Sequence, residues 1–219
     1  MLYSTDPDEG VKIFIMSYSQ NKEESIILEY FGESKGTLLD IGANDGKTLS
    51  NSLALVERGW VGTFVEASPK AFQRLQSLHS SNPRLQLLNV AIGSYDGEID
   101  FNESGTLLGT GDVALVSSIR KDEMDRWISL NMPFEKMKVP VLYFTSLLTK
   151  SYYDKFEFIT IDIEGMEPEV VPQIDFKKLG TKMAIIEWNG KNAELYDGLL
   201  SSHGLKLIHT NAENRIYTK

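Results

Sequence analysis

The 219-residue chain is 42% hydrophobic, enough for one sizeable core and short for two independent domains, so a single domain spanning 1–219 is expected. It has no cysteine, which excludes disulfides, a cysteine nucleophile, iron–sulfur clusters and thiolate zinc sites, and suits a reducing cytoplasm as its location. A net charge of −9 and a pI near 4.9 disfavour nucleic acid as a partner, and the longest basic clusters are pairs such as Arg120-Lys121 and Lys177-Lys178.

No apolar stretch approaches the roughly eighteen residues that span a bilayer, so membrane insertion is not expected. The first residues, Met1 to Glu9, are acidic where a signal peptide is basic. Within an N-terminal helical segment, 1–35, Ser19 and Asn21 can cap a helix from Glu23 to Phe31. Thr37 to Ile41 is a buried strand, Gly42 to Gly46 a turn, and Lys47 to Arg58 a helix stopped by Gly59. Val61 to Glu66 is the second strand, Pro69 after Ser68 opens a helix to about Ser80, and Arg84 to Val90 is the third strand. This βαβαβ rhythm predicts an α/β fold, a parallel sheet with helices on both faces.

The rhythm then loosens. Tyr95 to Glu98 reads as a hairpin turn into Ile99–Phe101, and 102–135 has no single period, with Gly105, Gly109 and Gly111 making its first half pliable. That segment is an insertion, either a surface excursion or a substrate lid. Regular patterning resumes with Lys138 to Phe144, a short helix, a central strand Phe156–Asp162 and a strand Met183–Trp188. A helix Ala193–Ser202 follows, then a β pair, Leu205–His209 with Arg215–Thr218.

A strand ending in Asp40 and Ile41 that turns through Gly42, Ala43, Asn44, Asp45 and Gly46 into a helix puts small residues where a ligand approaches the backbone. A dinucleotide site needs G-x-G-x-x-G to accommodate pyrophosphate, whereas the spacing here is G-x-x-x-G with an acid two residues earlier. S-adenosylmethionine has no phosphate, and its ammonium suits Asp40. Glu66, closing the next strand, can accept hydrogen bonds from both ribose hydroxyls.

The chain resembles the FkbM family of S-adenosylmethionine-dependent methyltransferases from Ser19 to about Asn189. The likeness rests on Ser19–Glu24, Leu39–Gly46, Gly59–Gly62 with Val65–Pro69, Asn89–Gly93 and Ile161–Glu167. It implies a seven-stranded Rossmann-like methyltransferase fold with its last strand antiparallel, and O-methylation of sugar or natural-product hydroxyls. By resemblance the cofactor positions are Asp40, Gly42, Asn44, Gly46 and Glu66, with Ala43 and Ala67 beside them and Asn89 to Ala91 next to the adenine.

Methyl transfer to an alcohol needs an aligned acceptor and a group to take its proton. His79, His203 and His209 are placed away from the expected site, so attention falls on carboxylates. Asp162 ends the fourth strand and also faces the cofactor cleft; if the strand persists through Ile163, Glu164 projects to the same side. Glu187 closes the neighbouring strand, while Glu167 and Glu169 read as helix-terminus charges. Two readings stand: Asp162 or Glu164 as general base, or Asp162, Glu164 and Glu187 as ligands of Mg²⁺ or Mn²⁺. Ser117, Ser118 and Arg120 fall in the insertion, and Trp188 either stacks on a sugar ring or is a core residue. The competing functions are an N- or carboxyl-methyltransferase, an inactive cofactor-binding partner subunit and, more remotely, an NAD-dependent oxidoreductase.

Overall fold

The computed structural model describes residues 17–107, 112, 114–129 and 131–219. Gly109, Gly111 and the acidic start at Met1–Glu9 lie outside the described residues. The elements run α1 (Glu23–Phe31), β1 (Thr37–Ile41), α2 (Leu53–Glu57), β2 (Val61–Glu66), α3 (Pro69–His79), β3 (Leu85–Asn89), β4 (Ala91–Gly93) and β5 (Gly97–Ser104). They continue with α4 (Lys121–Ile128), β6 (Phe134–Tyr143), α5 (Phe144–Lys150), β7 (Phe158–Ile161), α6 (Glu167–Val170), α7 (Phe176–Leu179), β8 (Met183–Glu187), α8 (Ala193–Ser202), β9 (Lys206–Thr210) and β10 (Asn214–Thr218).

Seven strands form one sheet in the order β3-β2-β1-β7-β8-β10-β9, with only β10 antiparallel to its neighbours. This is the mostly parallel, seven-stranded Rossmann-like architecture expected from the sequence. Period-two alternation gives the sheet two apolar faces. Leu39, Ile41, Ile159, Ile161 and Ile186 pack with Phe144, Val170 and Leu200 on one face. Leu38, Phe64, Phe158 and Ile185 pack with Ile27, Phe31, Leu55 and Leu75 on the other. Among the described residues no helix is long and apolar enough to cross a membrane.

Three expectations are corrected. The helix read from Lys47 to Arg58 begins only at Leu53, because Asp45 Oδ1 accepts from the N–H groups of Lys47 (2.9 Å) and Thr48 (2.7 Å) and Leu49 turns left-handed at φ 56°. The hairpin expected at Tyr95–Glu98 joins strands that do not pair with each other. Both β4 and β5 pair with β6, in a second sheet of order β4-β6-β5. Finally, β7 stops at Ile161, so Asp162 and Glu164 are not alternate residues of one strand. The backbone turns instead, through Glu164 at φ 52° and Gly165 at φ 102°.

Close contact between the central strands fixes the site's floor. In β2, Gly62 lies so near β1 that an added β-carbon would sit 2.0 Å from the Leu38 carbonyl oxygen. Gly62→Ala is therefore expected to destabilise the chain by about 3 kcal/mol, since backbone atoms must yield. Urea unfolding would check this; a loss well under ~1 kcal/mol would contradict the tight β1–β2 approach.

Candidate active site

The carboxyl ends of β1, β2, β7 and β8 open onto a cleft of about 280 Å³. At its centre Gly42 (φ 90°) faces the backbone of Asp162, where a β-carbon would fall 1.6 Å from the carbonyl oxygen. The Asp162 N–H donates to Ile41 O (2.9 Å), and the N–H groups of Gly42 and Ala43 both donate to Val65 O (2.9 and 3.0 Å). The glycine turn is thereby bonded to the ends of two neighbouring strands. Gly42, Ala43 and Asn44 line the cleft, whereas Gly46 packs behind them against Leu75 and His79.

Glu66 faces the same cleft. Its Oε2 accepts the Asn44 N–H (2.8 Å) and its Oε1 the Ser68 N–H (2.6 Å), while burial pushes its carboxyl up to about 7 against the pull of those two bonds. Asn89 stands outside the lining. Its side-chain amide donates to the carbonyls of Glu66 (2.8 Å) and Ala67 (3.1 Å), clamping the end of β2 instead of facing a ligand. Ala67, Val90 and Ala91 do line the cleft, beside Phe101 from the second sheet.

The unexpected loop 47–52 covers the ends of β1 and β7. Ser52 Oγ donates to Asp40 Oδ2 (2.5 Å), and Asn51 Nδ2 to Thr160 Oγ1 (3.3 Å). Asp40 is buried, and desolvation raises its carboxyl to about 7, with the Ser52 bond opposing the shift. Asn51 Oδ1 lines the cleft, buried and without a hydrogen-bond partner.

A second group of acids stands at the ends of β7 and β8. Oxygens of Asp162, Glu167 and Glu187 all lie within 4.8 Å of one another. Glu167, read from the sequence as a helix-terminus charge, is instead buried and ties the turn together. Its Oε1 accepts the Ile163 N–H (2.7 Å) and its Oε2 the Gly165 N–H (3.0 Å). It takes the place expected for Glu164, which lines the cleft but is not in this triad. Glu187 Oε1 accepts from Asn189 Nδ2 (2.7 Å), and its Oε2 is buried without a partner. Asp162 is open to water through the cleft, yet the dense protein on its other sides raises its carboxyl, partly offset by hydrogen bonding to Glu187. Burial raises Glu167 and Glu187 as well, and the neighbouring acids add to it.

Six carboxylates line the cleft (Asp40, Glu66, Asp162, Glu164, Glu187 and Glu213), and no lysine or arginine is among its described lining residues. The segment 102–135 contributes Ala114, Val116, Ser117, Ile119 and Trp127 to its wall, and Ser118 Oγ donates to Glu164 O (2.8 Å). No histidine lines it. Sequence reasoning missed Asn51, Glu167 and Asn189. The polar run Ser50-Asn51-Ser52 just after the glycine turn was their one local signal, and only for the first.

The methyltransferase FkbM domain model matches residues 40–204. The 2-O-methyltransferase NoeI of Sinorhizobium fredii (strain NBRC 101917 / NGR234) is 28% identical over 199 residues, 88% of this chain and 77% of that protein. The crystal structure of methyltransferase FkbM from Methylobacillus flagellatus KT superposes with a TM-score of 0.52 at 13% identity, covering 84% of this chain. This chain spans 43% of that structure's length, and the likeness is one of fold. With the domain matched from Asp40, at the glycine turn, to Gly204, beyond the carboxyl cluster, the chain belongs to the FkbM family of methyltransferases.

Proposed function

We propose that the chain is an S-adenosylmethionine-dependent O-methyltransferase acting on a hydroxyl of a carbohydrate or glycan-like acceptor. The observation that carries this reading is the cleft at the glycine turn, acid-lined and free of lysine and arginine among its described lining residues. Such a lining suits a cofactor that bears an ammonium and a sulfonium but no phosphate. Two buried acceptors without partners, Asn51 Oδ1 and Glu187 Oε2, call for a ligand that donates hydrogen bonds or carries positive charge. An oxygen acceptor is supported by the relative named as a 2-O-methyltransferase.

Asp40, Gly42, Ala43, Asn44 and Asn51 would hold the methionine part, and Glu66 the ribose. Ala67, Val90, Ala91 and Phe101 offer an apolar wall for the adenine. Bound there, the cofactor supplies a methyl group whose transfer to oxygen releases the acceptor's proton. Asp162 would take that proton, being the solvent-exposed member of the triad on the cleft, with its carboxyl raised by its surroundings. The described residues of the segment 102–135 that line the cleft, Ala114, Val116, Ser117, Ile119 and Trp127, would cover a bound substrate.

A second reading draws on the convergence of Asp162, Glu167 and Glu187: these three oxygens could hold Mg²⁺ or Mn²⁺, with Glu167 in place of the Glu164 read from the sequence. Labelled cofactor offered to sugars, amines and carboxylates separates the O-methyltransferase from an N- or carboxyl-methyltransferase and from an inactive subunit.

Asp162→Asn is expected to lower kcat by about a hundredfold or more under either reading. Full activity after rigorous EDTA treatment would remove the metal reading, and activity restored only by added Mg²⁺ or Mn²⁺ would replace the base by the ion. An Asp162→Asn enzyme retaining most of its kcat would contradict both.

The raised carboxyls also set a pH dependence. Between the ordinary carboxyl range near ~4 and the folded values of about 7 for Asp40 and Glu66, the folded chain keeps protons that the unfolded chain has released. Stability of the ligand-free protein must then fall as pH rises through that window. Thermal melts between about pH 5 and pH 8 should show a falling midpoint, and S-adenosylmethionine should flatten the fall; a midpoint that rises would refute the raised carboxyls of these two acids.

A further inference from the structure

A second cavity, of about 230 Å³, lies on the far side of the carboxyl cluster, with Glu167, Glu187, Trp188, Asn189, Lys191 and Tyr196 among its lining. Its chemistry differs from that of the main cleft. The cleft has carboxylates and no described basic side chain, whereas this cavity adds the cations of Arg120 and Lys191 to its carboxylates, amides and aromatic rings.

Trp188 is held rigidly for its role. Its Nε1 donates to Asn211 O (3.0 Å), and the Arg215 guanidinium carbon lies 4.9 Å from the ring centroid. Half-buried, the indole borders the cavity as fixed apolar surface that loses little rotamer freedom when a ligand packs on it. A fringe of amides, cations and carboxylates around one aromatic plane matches a pyranose ring. The C–H face of such a sugar would lie on the indole face opposite Arg215, and each hydroxyl both accepts and donates. A strongly anionic group would meet Glu167 and Glu187.

The two cavities meet at the triad. Glu187 and Asn189 line both, and the 2.7 Å bond between them makes the partition one side-chain pair thick. Asp162 borders the cofactor cleft, Glu167 the side cavity, and Glu187 both.

We infer that the side cavity is the acceptor subsite, seating one pyranose ring against Trp188 with a hydroxyl directed at the Asp162–Glu187 carboxylates. This rests on the O-methyltransferase reading above and deepens it, placing the acceptor on the β8 side of the carboxyl cluster.

The test uses methyl hexopyranosides and methyl 6-deoxyhexopyranosides as probes, with saturation-transfer NMR and acceptor kinetics run in parallel on four proteins: the wild type, Trp188→Phe, Trp188→Leu and Lys191→Met. Ring-proton transfer from at least one glycoside is expected with the wild type and Trp188→Phe. Trp188→Leu should raise that acceptor's KM about tenfold, and Lys191→Met should raise it several-fold. The calorimetric affinity for S-adenosylmethionine should stay put. Lys191 is solvent-exposed, so its variant keeps the test decisive even if Trp188→Leu loosens Arg215. Glycoside binding indifferent to Trp188→Leu and Lys191→Met, or no glycoside binding at all, overturns the subsite. Binding that depends on Trp188 with no methyl transferred to any sugar sustains the subsite and overturns the O-methyltransferase reading.

Discussion

Where β1 and β7 end side by side there is no room for a β-carbon: one added to Gly42 would fall 1.6 Å from the Asp162 carbonyl oxygen. That contact is possible because residue 42 is glycine in a left-handed conformation, φ 90°. It brings the chain after β1 against the chain after β7, and the bond from Asp162 N–H to Ile41 O locks the pair. Asp40, Glu66 and Asp162 are then projected from neighbouring parallel strands into one cleft.

Gathering carboxylates in a confined space carries an electrostatic cost, and the fold distributes it. Glu66 is relieved by two backbone N–H donors, Asp40 by Ser52, and Glu167 by the turn it closes. Glu187 Oε2 stays buried without a partner, and Asp162 remains open to water on the cleft. The site is stable enough to fold with its charge held partly as protons, and it gains by binding a cation. Stability and cofactor affinity are therefore linked through the same side chains.

The parts that could be read from the sequence are those governed by periodicity. Short apolar and β-branched runs marked β1, β2, β7 and β8, the acid before the glycine turn pointed to Asp40, and the acid closing the next strand pointed to Glu66. What escaped was irregular backbone held by side chains. The loop 47–52 has helical-looking composition, but the Asp45 carboxylate takes the N–H groups of Lys47 and Thr48 and Leu49 turns left-handed, none of which has a period. Glu167 was misread for the same reason: in sequence it sits in a first helical turn beside Pro168, and only the reversal at Glu164 and Gly165 carries its carboxylate back to the centre. The second sheet was missed because β6 pairs with two strands far from it in sequence, with the aperiodic segment 102–135 between β5 and β6. Asn89 was recognised as important and given the wrong job, a clamp on β2 being indistinguishable from a ligand contact until its bonds are seen.

The central claim is that the turn at Gly42 and the acid at Glu66 form a site for a phosphate-free adenosyl cofactor. Calorimetric titration of S-adenosylmethionine into the wild type and into Glu66→Gln tests it most directly. The account predicts saturable binding by the wild type, weakened about tenfold or more, ~1.4 kcal/mol, in the variant. Equal affinity in the two proteins, or preference of the wild type for NAD over S-adenosylmethionine, would contradict it.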